Sequence, residues 1–212
     1  MIPLISTYGG RAERYKETPN ASYRVFDPVR SDFLQFRTPL HGDNFITQRF
    51  RTGVKKIEVF NTPVRFVTGD SSAMPSLRVT LESGSTELHV VVHYAANSNL
   101  IPAVRRMART EGALCVVRDL DTVRSPANRL DDLDYLLQAA TSHADHAAEL
   151  GEAILQRVPA SRTTTVSELQ AVFSHYEKDV VDGAIATLHA RGKGVINFVK
   201  GVAYGQSEFS VR

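Results

Sequence analysis

Ser76-Leu77-Arg78-Val79-Thr80-Leu81, Glu82-Ser83-Gly84-Ser85 and Glu87-Leu88-His89-Val90-Val91-Val92-His93 follow one another along the chain, and their reading decides the fold. The first piece alternates polar and apolar residues, the second is built of turn residues, and the third resumes with β-branched ones. The stretch therefore reads as a β-hairpin. Downstream, Asn99–Glu111 places Leu100, Ala103, Val104 and Met107 at helical spacing and stops at Gly112, a suitable C′ residue. Ala113–Arg118 follows at once and is apolar enough for a buried strand. It carries the single cysteine, Cys115, which excludes an internal disulfide and reads as a small buried hydrophobe.

Upstream of the hairpin, Lys56–Phe60 and Val64–Val67 are rich in β-branched and aromatic residues and are separated by Asn61-Thr62-Pro63, which gives two more strands. Asp43–Phe50 permits a short helix. Residues 1–40 mix Gly9-Gly10, Pro19-Asn20, Pro28 and Pro39 with scattered charges, so mostly irregular structure is expected there. After the buried strand, Leu130–Ala140 sets Leu133, Leu136 and Leu137 on one side of a helix. Strands, hairpin, helix and strand in this order give an α/β (α+β) domain with a mixed sheet.

Beyond residue 142 the pattern changes to helix, helix, helix and hairpin. Ala144–Arg157 reads as a helix that stops before Pro159. Thr165-Val166-Ser167-Glu168 is a capping box opening the next, since the Thr hydroxyl and Glu carboxylate satisfy reciprocal backbone donors. Val180, Ile185 and Leu188 give the third an apolar face. Val195–Val199, a Lys200-Gly201 turn and Val202–Tyr204 would form a β-wing. The chain thus divides into a basic, largely irregular segment (1–41), the α/β core (42–141) and a small winged-helix-like domain (142–212).

The net charge of +2 gives no whole-protein field for a nucleic-acid partner, but the distribution is uneven. Residues 1–56 hold ten basic residues against five acids, whereas residues 144–212 hold seven against eight. The amino-terminal part is the better electrostatic candidate for a phosphate backbone, through Arg37, Arg49, Arg51, Lys55 and Lys56. In the tail, Lys178, His189, Arg191, Lys193 and Lys200 are the residues placed to touch DNA if the third helix enters the major groove, but Asp179 and Asp182 on that helix oppose phosphate. Acidic reading helices suit winged domains that bind proteins, so DNA and protein contact stand equal there. No run reaches the ~18 apolar residues of a membrane span, and a cytoplasmic protein without a membrane partner is expected. No GxSxG, Walker A, GxGxxG or CxxC pattern occurs.

Between Val54 and Leu136 the order of features resembles the catalytic domain of TnsA-type transposition endonucleases, of the PD-(D/E)xK nuclease superfamily. Met74-Pro75-Ser76-Leu77-Arg78-Val79 stands where the family has Pro-Asp at a strand start, Ser83-Gly84 where it has a turn, and Val91-Val92-His93 where it has Glu-x-Lys or Gln-x-Lys. Val117–Arg124 and Asn128-Arg129-Leu130 resemble the segment after the core, and a winged-helix-like tail also fits. The resemblance implies a restriction-endonuclease-like fold, DNA as a partner and a transposition-type protein complex. It also implies a dismantled site. In the active fold carboxylates hold Mg²⁺, which activates water, and a lysine assists. Here Ser76, Val91 and His93 replace Asp, Glu or Gln, and Lys.

The expectation is therefore a non-catalytic TnsA-like protein that binds DNA or a protein partner, with no cofactor. One alternative is an active Mg²⁺-dependent DNA endonuclease with relocated ligands, for which Asp43, Glu87 and His93 are the available residues. Another is a protein-binding adaptor or inhibitor that never touches DNA. Glu87, His89 and His93 alternate on one strand face and have zinc-ligand chemistry, but alternation equally describes a plain solvent-facing side, which is the reading preferred. His143 and His146, three apart beside Asp145, read as surface residues.

Overall fold

The computed structural model describes residues 23–65, 72–93, 100–160, 162–198 and 203–212. Tyr23–Asp27 (β1) and Asp32–Phe36 (β2) form an antiparallel hairpin where irregular chain was expected. Each strand is too short to show a settled period, yet Val25, Phe26 and Phe36 are buried. Asp27 Oδ1 accepts the Val29 N–H and shapes the turn. Helix α1 (Pro39–Arg49) starts four residues before the expected Asp43, with Thr38 as N-cap and Pro39 in the first turn, where its missing N–H costs nothing. Asp43 thus lies within the helix.

Val54–Val59 (β3), Leu77–Leu81 (β6), Thr86–Val91 (β7) and Leu114–Arg118 (β8) form the main sheet in the order β3-β6-β7-β8. Its first three strands are antiparallel, and the last runs parallel to β7. The decisive hairpin is β6–β7, with Gly84 at φ +84° in its turn, a backbone state that side chains resist. Val64–Arg65 (β4) and Ser72–Ala73 (β5) pair separately. The parallel step requires a crossover, supplied by α2 (Leu100–Thr110). Val104, Met107 and Ala108 of α2 cover Leu88 and Val90, while α1 covers the opposite face through Phe45 and Ile46, which pack with Leu77 and Val79. β8 is an edge strand and less buried than its apolar sequence suggests, with Leu114 62% exposed. Cys115 is correspondingly only half-buried.

A short helix, α3 (Leu120–Val123), with Asp119 capping it, leads to α4 (Leu130–Ser142). The remainder runs α5 (Ala144–Arg157), β9 (Thr163–Thr165), α6 (Val166–Val172), α7 (Lys178–Ala190), β10 (Gly194–Asn197) and β11 (Glu208–Val211). The capping box at Thr165 and Glu168 forms with both reciprocal bonds. The small sheet is antiparallel in the order β10-β11-β9. Its return strand is Glu208–Val211, whereas Val202–Tyr204 was expected. Phe209 is fully buried, while Tyr204–Gln206 turn in a 3-10 helix that sends the Tyr204 hydroxyl to Asp182. The expected turn at Lys200-Gly201 and the strand residues Phe66 and Val67 lie outside the described residues.

One apolar cluster runs across the expected boundary at residues 141/142. It joins Phe45 and Ile46 of α1, Leu136 and Leu137 of α4, Leu150 and Ile154 of α5, and Val181 and Ile185 of α7. Helices α4 and α7 cross so closely at Gly183 that a Cβ there would lie 2.6 Å from the Ala139 carbonyl oxygen. Among the described residues, no helix is long and apolar enough to cross a membrane.

Candidate functional site

The alternation along β7 puts Glu87, His89 and Val91 on the face covered by α1. That face was expected to be solvated, but Glu87 is 8% exposed and His89 is fully buried. The helix supplies their partners. His89 Nε2 lies 3.0 Å from Glu87 Oε2, and Asn44 Nδ2 lies 3.4 Å from His89 Nδ1. Arg51, just past the end of α1, donates two hydrogen bonds to Glu87 at 2.7 and 3.1 Å and a third to Gln48 Oε1 at 3.1 Å. The result is a polar seam from Asn44 to Gln48 between helix and sheet.

The seam is electrostatically settled. Burial alone would raise the Glu87 pKa, but hydrogen bonds from Arg51 and His89 and the Arg51 charge outweigh it and hold the carboxyl below its ordinary value. Burial, only partly offset by Glu87, pulls His89 down to about 4, so its ring is neutral at physiological pH. A neutral ring with Nε2–H toward Glu87 leaves Nδ1 to accept from Asn44. His41, one turn earlier on α1, is also pulled down to about 4 by burial and then by the nearby charges of Arg37 and His93.

At the carboxyl end of β7 the three replaced motif positions lie as follows. Ser76 is buried, and its Oγ accepts the Val91 N–H at 3.1 Å. Val91 packs with Leu40 and Val123. His93 lies beyond the strand and is exposed. Ser76 and Val91 therefore meet, but as a strand tie and an apolar plug. The other relocated-ligand residues have cationic partners: Asp43 takes Arg124 Nε at 3.0 Å, and Glu87 takes Arg51. Among the described residues, no three His, Cys, Asp or Glu side chains converge as a metal-ligand group.

The candidate DNA contacts divide sharply. Arg49 is only 7% exposed and forms a 2.7 Å ion pair with fully buried Asp27, so it is a core cation, contrary to the expectation that it meets phosphate. Arg51 is committed to Glu87, and Arg37 is half-buried. Lys55 and Lys56 are exposed on β3, although Lys56 contacts Glu58. Arg11, Arg14 and Lys16, which raise the amino-terminal charge, lie outside the described residues, as does Lys200.

The tail corrects a second expectation. Every residue of α7 from Val180 to Ala190 is buried, because the helix is clasped by α4 and α5, so it cannot enter a groove. His189 donates from Nε2 to the Phe50 carbonyl at 2.8 Å and accepts the Ile196 N–H at Nδ1. Its role is to join the tail to the end of α1. Asp182 is 1% exposed and accepts from the Tyr135 hydroxyl (2.6 Å), Gln170 Nε2 (2.9 Å) and the Tyr204 hydroxyl (3.3 Å). It ties α4, α6 and α7 together rather than repelling phosphate. Lys178, Arg191 and Lys193 are exposed around the ends of α7, with Arg191 bonded to the Pro28 carbonyl and Lys193 to Glu152. His143 pairs with Asp179 at 2.9 Å, and His146 is exposed.

The residues that sequence reasoning passed over are Arg105, Arg106 and Arg109, all exposed on α2. Their signal was available: they fall at i, i+1 and i+4 on a helix whose apolar side was read correctly. The chain matches no family model and no curated protein.

Proposed function

We propose that this is a non-catalytic, TnsA-like DNA-binding protein of the cytoplasm that works within a transposition-type complex. The observation that carries the non-catalytic part is the use made of the motif positions. Ser76 spends its hydroxyl on the Val91 N–H, Val91 fills an apolar contact, and Glu87 is held by two hydrogen bonds from Arg51. Rebuilding a carboxylate cage for Mg²⁺ would require breaking buried contacts that the fold uses. The order helix, antiparallel β3-β6-β7, crossover helix, parallel β8 supports the nuclease-like reading of the core, and helix, strand, helix, helix, hairpin supports the winged-helix reading of the tail.

Because α7 is buried, the tail in this reading docks a protein through its outer surface, and the DNA contact falls to the core. The test is incubation of the purified protein with supercoiled plasmid and Mg²⁺ or Mn²⁺, alongside salt-dependent DNA retardation. The expected result is retardation without nicking. Nicking that is lost on Glu87→Ala or Asp43→Ala would overturn the proposal in favour of an endonuclease with relocated ligands. Neither nicking nor retardation at low salt would leave the adaptor reading in its place.

A further inference from the structure

The side of the main sheet opposite α1 carries a charge pattern that the motif positions do not explain. Helix α2 packs Val104, Met107 and Ala108 against Leu88 and Val90, so its other side faces outward. Arg105, Arg106 and Arg109 occupy that outward side within about 100° of arc. The first turn of α2 contains no acid. Glu111, just past its end, is bonded to Arg78, which also takes Glu58. Among the described residues, Glu58 and Glu111 thus share Arg78, and Lys56 contacts Glu58 as a second cation, so this group of four carries no net charge. Arg65 on β4 is exposed, and β5, the partner of β4, packs against α2.

We infer that the outer face of α2, through Arg105, Arg106 and Arg109, is the surface on which this protein holds the backbone of duplex DNA. The inference rests on the DNA-binding reading above and gives it a location. Guanidinium groups carry planar pairs of donors that match phosphate oxygens, and their charge persists at every physiological pH. Three of them stand on one well-packed helix, so binding costs side-chain freedom and little backbone freedom. The contact inferred is to phosphate oxygens, which every duplex presents alike, so it is indifferent to sequence. An acidic protein surface would meet the same charges, and the test separates it.

The measurement is fluorescence anisotropy of a short labelled duplex of arbitrary sequence, titrated with the full chain at a series of salt concentrations. Three phosphate contacts contribute about 2.7 to the slope of log K against log salt. The triple variant R105A/R106A/R109A is expected to lose about that much slope and at least about tenfold in affinity at low salt. The exposed side chains leave the buried face of α2 untouched, so the thermal melting curve should stay in place and serve as the folding check. R105K/R106K/R109K should keep most of the slope, and K178A/K193A, at the ends of α7, should keep all of it. A wild-type protein that binds no duplex at low salt overturns both this surface and the DNA-binding reading. Wild-type binding with an unchanged slope in the triple alanine variant overturns the surface alone. Competition by polyglutamate as effective as competition by unlabelled duplex, at equal charge, overturns DNA as the partner and assigns the face to an acidic protein.

Discussion

Glu87 in the sheet and Asp182 in the tail are both buried carboxylates gripped by several donors, yet their pKa values move in opposite directions. Burial pushes both upward. At Glu87 burial is opposed by a full positive charge, Arg51, and the carboxyl is held below its ordinary value. At Asp182 the donors are two phenols and an amide, all neutral, and the net shift remains upward. Counting hydrogen bonds would treat the two sites alike. Neutral donors solvate an anion only in part, whereas a charged partner compensates it directly. The seam around Glu87 is therefore an ion pair set into a core face, and the site at Asp182 is a tie among helices α4, α6 and α7.

The strongest way to break this comparison is Asp182→Ala. It leaves Tyr135, Gln170 and Tyr204 without their acceptor, and unfolding in denaturant should show a loss of about 3–4 kcal/mol. A loss below about 1 kcal/mol would mean the tie contributes little. Gly183→Ala comes next, at about 1–3 kcal/mol, because the new methyl meets the Ala139 backbone, which cannot move aside as a flexible side chain would. Since α4 and α7 share one core cluster with the sheet, the variant should still unfold in a single transition; two separated transitions would show that the tail folds apart from the core.

The paired isosteric amides sharpen the contrast most directly. Glu87→Gln removes the partner of Arg51 and should cost about 1–2 kcal/mol at neutral pH, the lower range applying because a third of the Arg51 side chain is solvated. Glu87 has a lowered folded pKa, so its contribution is complete above the ordinary value of 4.5 and fades as pH falls through the folded value; the variant should lose that acid limb. His89 acts earlier. Folding resists its protonation, so stability falls as pH drops from its ordinary 6.5 toward about 4; in Glu87→Gln, which lacks the partial offset from the carboxylate, the fall extends to lower pH. Asp182→Asn should have the smallest effect, within about 1 kcal/mol at pH 7. Its raised folded pKa makes ionisation unfavourable to folding, a cost that is absent below 3.8 and grows as pH rises through the folded value, and the amide escapes it. A larger loss at Asp182→Asn than at Glu87→Gln would reverse the assignment of the two sites.

Much of this architecture was legible along the chain. The hairpin at Ser76–His93, the helix beginning near Leu100, the helix Ala144–Arg157 and the capping box at Thr165 follow from local period and local hydrogen-bonding chemistry. The hairpin Tyr23–Phe36 did not, because five-residue strands broken by Pro28 carry too little period, and only burial against α1 fixes them. The arginines were the least legible residues. Arg49 and Arg105 look alike in sequence, but Arg49 closes on buried Asp27 while Arg105 stands on the outer side of α2.

The opening hairpin, the alternation on β7 and the mixed order of helices and strands were determined by the sequence itself, because strand and helix periods are written into consecutive residues. Which side of β7 would be dry was decided only in three dimensions. Alternation assigns Glu87 and His89 to a common face but cannot say that α1 will cover it, bringing Asn44, Gln48 and Arg51 from more than thirty residues away to satisfy them. The same holds for α7, whose Asp182 reads as part of a repelling surface until α4 and α6 bring Tyr135 and Gln170 to it. Burial is a property of what packs against an element, and that information lies in distant parts of the chain.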